Sequence, residues 1–182
     1  KDYTGALSKY QEAIPIYKEY GKTFYGWDNM GNIFYNLKRY NDSIICHRNA
    51  LKIYKSEGRT DRISYSCYRI VMCKDELKQS DSELVSCAEE GAKSQNYHPA
   101  IFCLSELAVY YNDIAKDYWK SMTYNVTRIE MAIRRLNGEG LSQTDIFMFK
   151  NNPSYAQSEK KSCLQAIAWS CYSMSLSHRN IG

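Results

Sequence analysis

The stretch WDNMGNIFYNLKRYNDSIICHRNA, Trp27–Ala50, decides the fold. Its first half places apolar side chains at Trp27, Met30, Ile33-Phe34 and Leu37, which is one stripe of an α-helix. Beyond Tyr40 the same spacing resumes with Ile44, His47, Ala50-Leu51 and Tyr54. Gly58 then reads as a helix stop, because glycine takes the left-handed conformation beyond a last turn without a Cβ clash. Small residues at Gly31, Ser43 and Ala50 let two antiparallel helices approach closely, and Trp27, Met30, Phe34 and His47 fill the space between them.

The pattern recurs outward from this hairpin. Asp2-Tyr3 to Ala13 aligns with Arg39-Tyr40 to Ala50; further copies begin at Ser80 and at Asp117-Tyr118. Tyr3, Tyr40, Ser80 and Tyr118 lie 37, 40 and 38 residues apart, a period that signals a repeat array. The first copy shows Leu7, Tyr10, Ala13-Ile14 and Tyr17, with Gly21 as its helix stop. Pro15 falls inside this helix at a cost of about 3 kcal/mol, so a bend or a tolerant end repeat is expected. No window alternates with period two, and the chain reads as all-α.

These residues resemble the tetratricopeptide repeat (TPR) family. The second copy supplies Trp27, Met30, Gly31, Phe34, Ser43, His47 and Ala50 at that family's pattern positions. The third copy is weaker: Cys67, Ile70, Val71 and Cys87 fit, and Glu90 stands where Ala is expected. The fourth gives Ser105, Ala108, Val109, Ser121 and Asn125, with Arg128 in place of Ala. The resemblance implies a right-handed superhelical solenoid of antiparallel helix pairs, about four to five repeats, with a concave ligand face. It places TPR-like repeats over 1–137, the first lacking its first helix, so the chain reads as a fragment. An irregular insertion is expected over 138–153, opened by Asn137-Gly138-Glu-Gly140. Within it, Ile146-Phe147-Met148-Phe149 reads as a packed short helix, or else as a flap over the groove.

Residues 154–182 then resume or cap the stack. Ser154 and Gln157 form a capping-box pattern. The expected buried stripe is Leu164, Ile167-Ala168, Cys171 and Met174, with Trp169, Tyr172, Ser173 and Leu176 as an alternative fifth-repeat register.

Composition narrows the function classes. The 182 residues carry 24 Lys+Arg against 20 Asp+Glu, a net charge of +4, with the positives scattered rather than gathered on one face. Direct nucleic-acid binding is therefore not expected. No run approaches the roughly 18 apolar residues of a membrane span. Seven cysteines without a C-x-x-C pair read as reduced packing residues in a cytoplasmic compartment. The sequons at Asn41 and Asn125 matter only in a secreted protein. No metal, phosphate-loop or dinucleotide motif appears; Ser158-x-x-Lys161 is a chance match, and the adjacent Cys46 and His47 cannot face each other on a helix. Neither enzyme activity nor a cofactor is expected.

The family's concave positions carry over to Tyr25, Asp28, Asn32, Tyr35 and Asn36 in the second copy, and to Tyr65, Tyr68, Met72, Asp75 and Glu76 in the third. In the fourth they fall on Cys103, Glu106, Tyr110, Asp113 and Ile114. Such a groove is tyrosine-rich and acidic, suited to a basic or amide-rich peptide. Asn32 matches one position of the family's carboxylate clamp, but Asp28 and Glu106 oppose an acidic ligand. The resemblance thus implies a protein- or peptide-binding scaffold or sensory module within a larger regulatory protein. The alternatives are an RNA-binding helical repeat and a homo-oligomerising array.

Overall fold

A computed structural model describes residues 3–19, 23–94, 96–139, 141 and 143–181. Every regular element among them is helical. The Gly21 helix stop, the Gly140 break and the side chains of Ile146 and Phe147 lie outside the described residues. The chain divides into two compact units, Lys1–Ser94 and Gln95–Gly182.

The N-terminal unit contains α1 (Tyr3–Glu19), α2 (Thr23–Asn36), α3 (Tyr40–Ser56), α4 (Thr60–Glu76) and α5 (Ser82–Ala92). Each helix packs on the next in chain order. α1 runs through Pro15, whose ring is exposed. The stripe expected from the sequence is the one buried: Met30, Ile33 and Phe34 on α2 face Ile44, Cys46, Ala50, Leu51 and Tyr54 on α3. Fully burying side chains of this size is worth about 1.5–3 kcal/mol each. The close approach falls at Gly31: a Cβ there would sit 2.6 Å from Nε2 of His47. Ser43 Oγ donates to the Gly31 carbonyl at 2.8 Å, tying α3 to α2 at the same level.

Helix ends repeat as regularly as helix faces. After α2, α3 and α4 the chain turns with Lys38 (φ 59°), Gly58 (φ 67°) and Lys78 (φ 55°) in the left-handed region. In each case two reversed bonds close the turn, as in Gln79 N to Lys74 O at 2.9 Å and Lys78 N to Asp75 O at 3.0 Å. A non-glycine residue there costs about 1–2 kcal/mol, and glycine's larger unfolded-state entropy recovers about 0.5–1 of the gain from replacing it. Lys78→Gly therefore raises the stability of this unit by roughly 0.5–1 kcal/mol. An upward shift of the urea midpoint checks this; an unchanged or lower midpoint contradicts it.

The C-terminal unit contains α6 (Tyr97–Val109), which runs into a π-helical turn (Tyr110–Ile114), then α7 (Tyr118–Leu136), α8 (Gln143–Asn151) and α9 (Pro153–Ile181). α7 packs against both α6 and α9, and α8 against α9. Ser121 Oγ donates to the Ala108 carbonyl at 2.8 Å, the counterpart of the Ser43–Gly31 bond. The two partners are 13 residues apart here and 12 in α2–α3. A π turn accommodates one extra residue, so the register over the end of α6 moves by one. Ala108 (1% exposed), not Val109 (48% exposed), is thus the close-approach residue, which corrects the sequence alignment of this copy.

The C-terminal helix brings two further corrections. α9 starts at Pro153, which suits a first helical position, and Asn152 Oδ1 accepts from Tyr155 N at 3.1 Å; Asn152, not Ser154, is the cap. Its buried face is Glu159, Cys163, Ala166, Ser170 and Ser177, whereas Leu164, Ala168 and Cys171 are exposed. Small residues on that face let α9 approach α7, with Tyr97, Ala132, Cys163 and Ala166 forming the apolar centre. All seven cysteines are free, and all but Cys171 are buried. Asn125 is fully buried, so its sequon is closed to modification. No helix among the described residues is long and apolar enough to cross a membrane.

Candidate functional site

In the N-terminal unit the first-helix face is built by α2 and α4. Tyr25 and Asn36 are exposed, and Asn32, Tyr35, Tyr65, Tyr68, Met72 and Asp75 are half-buried. Side chains of the two helices meet at Tyr35. Its hydroxyl donates to Glu76 Oε1 at 3.3 Å, and the Arg69 guanidinium lies 4.7 Å from its ring centre. Tyr40, at the start of α3, donates to the other Glu76 oxygen at 3.2 Å and packs edge-on to Tyr35 at 5.4 Å. Burial and the Glu76 carboxylate push the Tyr35 phenol up to about 12, so it stays a donor at neutral pH. Arg69 also reaches Met72 Sδ at 3.6 Å, and Tyr65 and Tyr68 pair at 6.3 Å. Tyr35 and Tyr40 are thus fixed to Glu76, next to Asp75 at the end of α4.

Asp28 is not on that surface. It is buried and accepts from Tyr54 Oη at 2.5 Å and from His47 Nδ1 at 3.3 Å. It is therefore a bond acceptor between α2 and α3 rather than a groove carboxylate. The Oδ1 of Asn32 is buried without a partner. Asp75 pairs with Lys78 at 3.3 Å.

A charge cluster ties α4 to the start of α5. Lys74 is buried and bonds Asp81 at 2.7 Å and Glu83 at 2.8 Å; Arg48 closes on Glu83 from α3. Burial resists the charge on Lys74, and the two carboxylates together outweigh it. Arg48 and Lys74 in turn hold Glu83 below its ordinary range.

In the C-terminal unit, Glu106 and Tyr110 are half-buried, Asp113 and Ile114 are exposed, and Cys103 is fully buried. Tyr110 packs edge-on to Tyr111 at 5.3 Å, and Asp113 accepts from Asn112 at 2.6 Å. A cleft of about 220 Å³ opens among α6, the π turn, α7 and α9, and Arg128 forms part of its wall beside Trp169 and Tyr172. The one sequence signal for it was Arg128 standing where the repeat calls for Ala. Trp169 and Tyr172 read instead as interior packing, and they are exposed.

Among the described residues no cluster of His, Cys, Asp and Glu could hold a metal ion. His47 is enclosed against Asp28, and His98 lies 2.8 Å from Glu159. Compared with known proteins, the chain matches no family model and no curated protein sequence.

Proposed function

We propose that this chain is a protein-interaction module, built from TPR-like hairpin repeats of solenoid type, that holds an extended peptide along the α2–α4 face as part of a larger regulatory protein. The observation that carries the reading is the row of Tyr25, Tyr35, Tyr65 and Tyr68 on α2 and α4, in which Tyr35 is bonded to the Glu76 carboxylate and Tyr65 and Tyr68 pack on each other. Tyrosines provide wide apolar contact and a polar tip, and they lose little conformational freedom on binding. Here Tyr35 and Tyr40 are already held by Glu76, and Arg69 lies over the Tyr35 ring, which lowers the ordering cost further. Asp75 and Glu76 favour lysine, arginine or amide side chains in the ligand over acidic ones. The buried polar groups of this unit tie helices together, which favours a binding role for it.

The test is a labelled peptide library graded in basic and amide content, followed by fluorescence anisotropy. Basic members are expected to saturate at micromolar concentration, with at least a tenfold loss in Tyr35→Ala and in Tyr68→Ala. Absence of saturable binding, or equal binding by the variants, overturns the reading.

A further inference from the structure

Arg128 is a buried cation in the wall of an open cleft of the C-terminal unit. It is 7% exposed, yet no carboxylate among the described residues lies within 4 Å of it, and its Nε has no hydrogen-bond partner. The contrast within the same helix is sharp: Arg135, equally buried, is held by Asp145 and Glu159. Burial pulls the Arg128 guanidinium pKa down, and Glu106 acts through space against that shift. A buried charge in this condition is costly, and an anion that reached it would relieve the cost.

Three features make the surroundings a built site. The guanidinium is oriented: Nη1 donates to Asn125 Oδ1 at 3.3 Å, and Asn125 Nδ2 is held by the Ser121 carbonyl and by Ser173 Oγ, each at 3.1 Å. The cleft that Arg128 lines has apolar and aromatic walls, among them Val109, Leu176, Trp169 and Tyr172. Trp169 and Tyr172 are 65% and 57% exposed and stand edge-to-face at 6.0 Å, free to receive a ring. At about 220 Å³ the cleft exceeds the roughly 150 Å³ cavity that admits benzene, leaving room for an acid group beside one ring.

Glu106 already acts on the Arg128 charge, and the charge a ligand can carry is limited further by Asp113. It also lines the cleft, carried there by the π turn, and its carboxylate repels a second negative charge. Phosphates and dicarboxylates are disfavoured; a single carboxylate directed at Arg128 is not. We propose that this cleft binds a monocarboxylate bearing one aromatic ring, either a free small acid or the terminal residue of a peptide, with the carboxylate on Arg128 and the ring against Trp169 and Tyr172. The site lies wholly within the C-terminal unit and stands independently of the α2–α4 surface.

N-acetyl-phenylalanine and its amide are the probes, titrated against the full chain with tryptophan fluorescence and calorimetry. The acid is expected to bind saturably and at least tenfold more tightly than the amide. Arg128→Met, checked for folding by circular dichroism, removes the acid's advantage. Trp169→Ala, a surface change, weakens the acid at least fivefold, while Trp119→Ala leaves it unchanged. Phosphate and succinate do not compete. A peptide ending in a free phenylalanine carboxylate identifies the source: tenfold tighter binding than the small acid assigns a chain end, and weaker binding assigns a free acid. Equal binding of acid and amide, no saturation by either at millimolar concentration, or full binding by Arg128→Met overturns the proposal.

Discussion

Arg135→Met destabilises the C-terminal unit by about 3–5 kcal/mol, the loss that follows when one member of a buried ion cluster is removed and the rest stay behind. Arg135 is 6% exposed and Glu159 5%. The guanidinium gives two bonds to Asp145, both 3.1 Å, and two to Glu159, at 2.9 and 3.2 Å. Tyr97 lies beneath it, with its ring centre 5.2 Å away. Tyr155 donates to Asp145 at 2.9 Å, so the cluster joins α7, α8 and the first turn of α9. Without Arg135, two carboxylates share a poorly hydrated site, with only His98 beside Glu159. Urea unfolding followed by the Trp119 and Trp169 emission measures the loss. Arg135→Met combined with Glu159→Leu is expected to regain at least half of it, because the apolar pair leaves no buried carboxylate from α9. A single variant within about 1 kcal/mol of the parent contradicts the prediction, since a surface ion pair would cost no more than that.

The elements legible in the sequence are those where packing is carried by residue size and apolarity. Gly31, Ser43 and Ala50 mark close approach whatever surrounds them, so α2 and α3 and their buried faces follow from spacing alone. α9 departs from the apolar stripe its sequence offers because its buried face is small and polar. Ser170, Ser173 and Ser177 turn inward, Ser173 meets Asn125 and Ser177 meets Asn112, while Leu164 and Trp169 point out. A hydrophobic stripe is the wrong guide to a helix whose neighbour must come close.

The π turn is illegible for a different reason. It adds one residue without a break in helical composition, and only the 12-to-13 change in the serine bond exposes it. Charges mislead most. Lys74, Arg128, Arg135 and Glu159 are buried, where composition assigns charge to the surface. Position in the repeat assigns Asp28 to the groove, whereas it is buried with the Tyr54 hydroxyl bonded to it. Lys38, Lys78 and Lys116 all have positive φ and recur at 40 and 38 residues, the period of the repeats themselves.

Asp28→Ala removes about 3 kcal/mol from the N-terminal unit, and Asp28→Asn makes the unit more sensitive to acid than the parent. Two fully buried groups depend on this carboxylate, Tyr54 Oη and His47 Nδ1, and leaving each unsatisfied costs about 1–3 kcal/mol. His47 has no alternative, since its Nε2 already lacks a partner and its ring fills the space above Gly31. The pH dependence follows from the same contact. Burial holds the folded His47 below its ordinary 6.5; the Asp28 carboxylate opposes that shift, and Arg69 adds to it. A histidine harder to protonate when folded favours the unfolded chain in acid. Stability is therefore complete above pH 6.5 and declines as pH falls from 6.5 towards the depressed folded value. Asp81 and Glu83, held below 3.8 and 4.5 by Lys74 and Arg48, add their losses only at lower pH, so the window between 6.5 and about 4.5 belongs to His47. Replacing the carboxylate by an amide removes the group that favours the imidazolium, so the folded value drops further and the decline in that window deepens. Urea midpoints of the parent and Asp28→Asn from pH 8 to 5 measure it. Parallel curves for the two proteins would show that Asp28 does not govern the protonation of His47, and with that the account of this buried triad would fail.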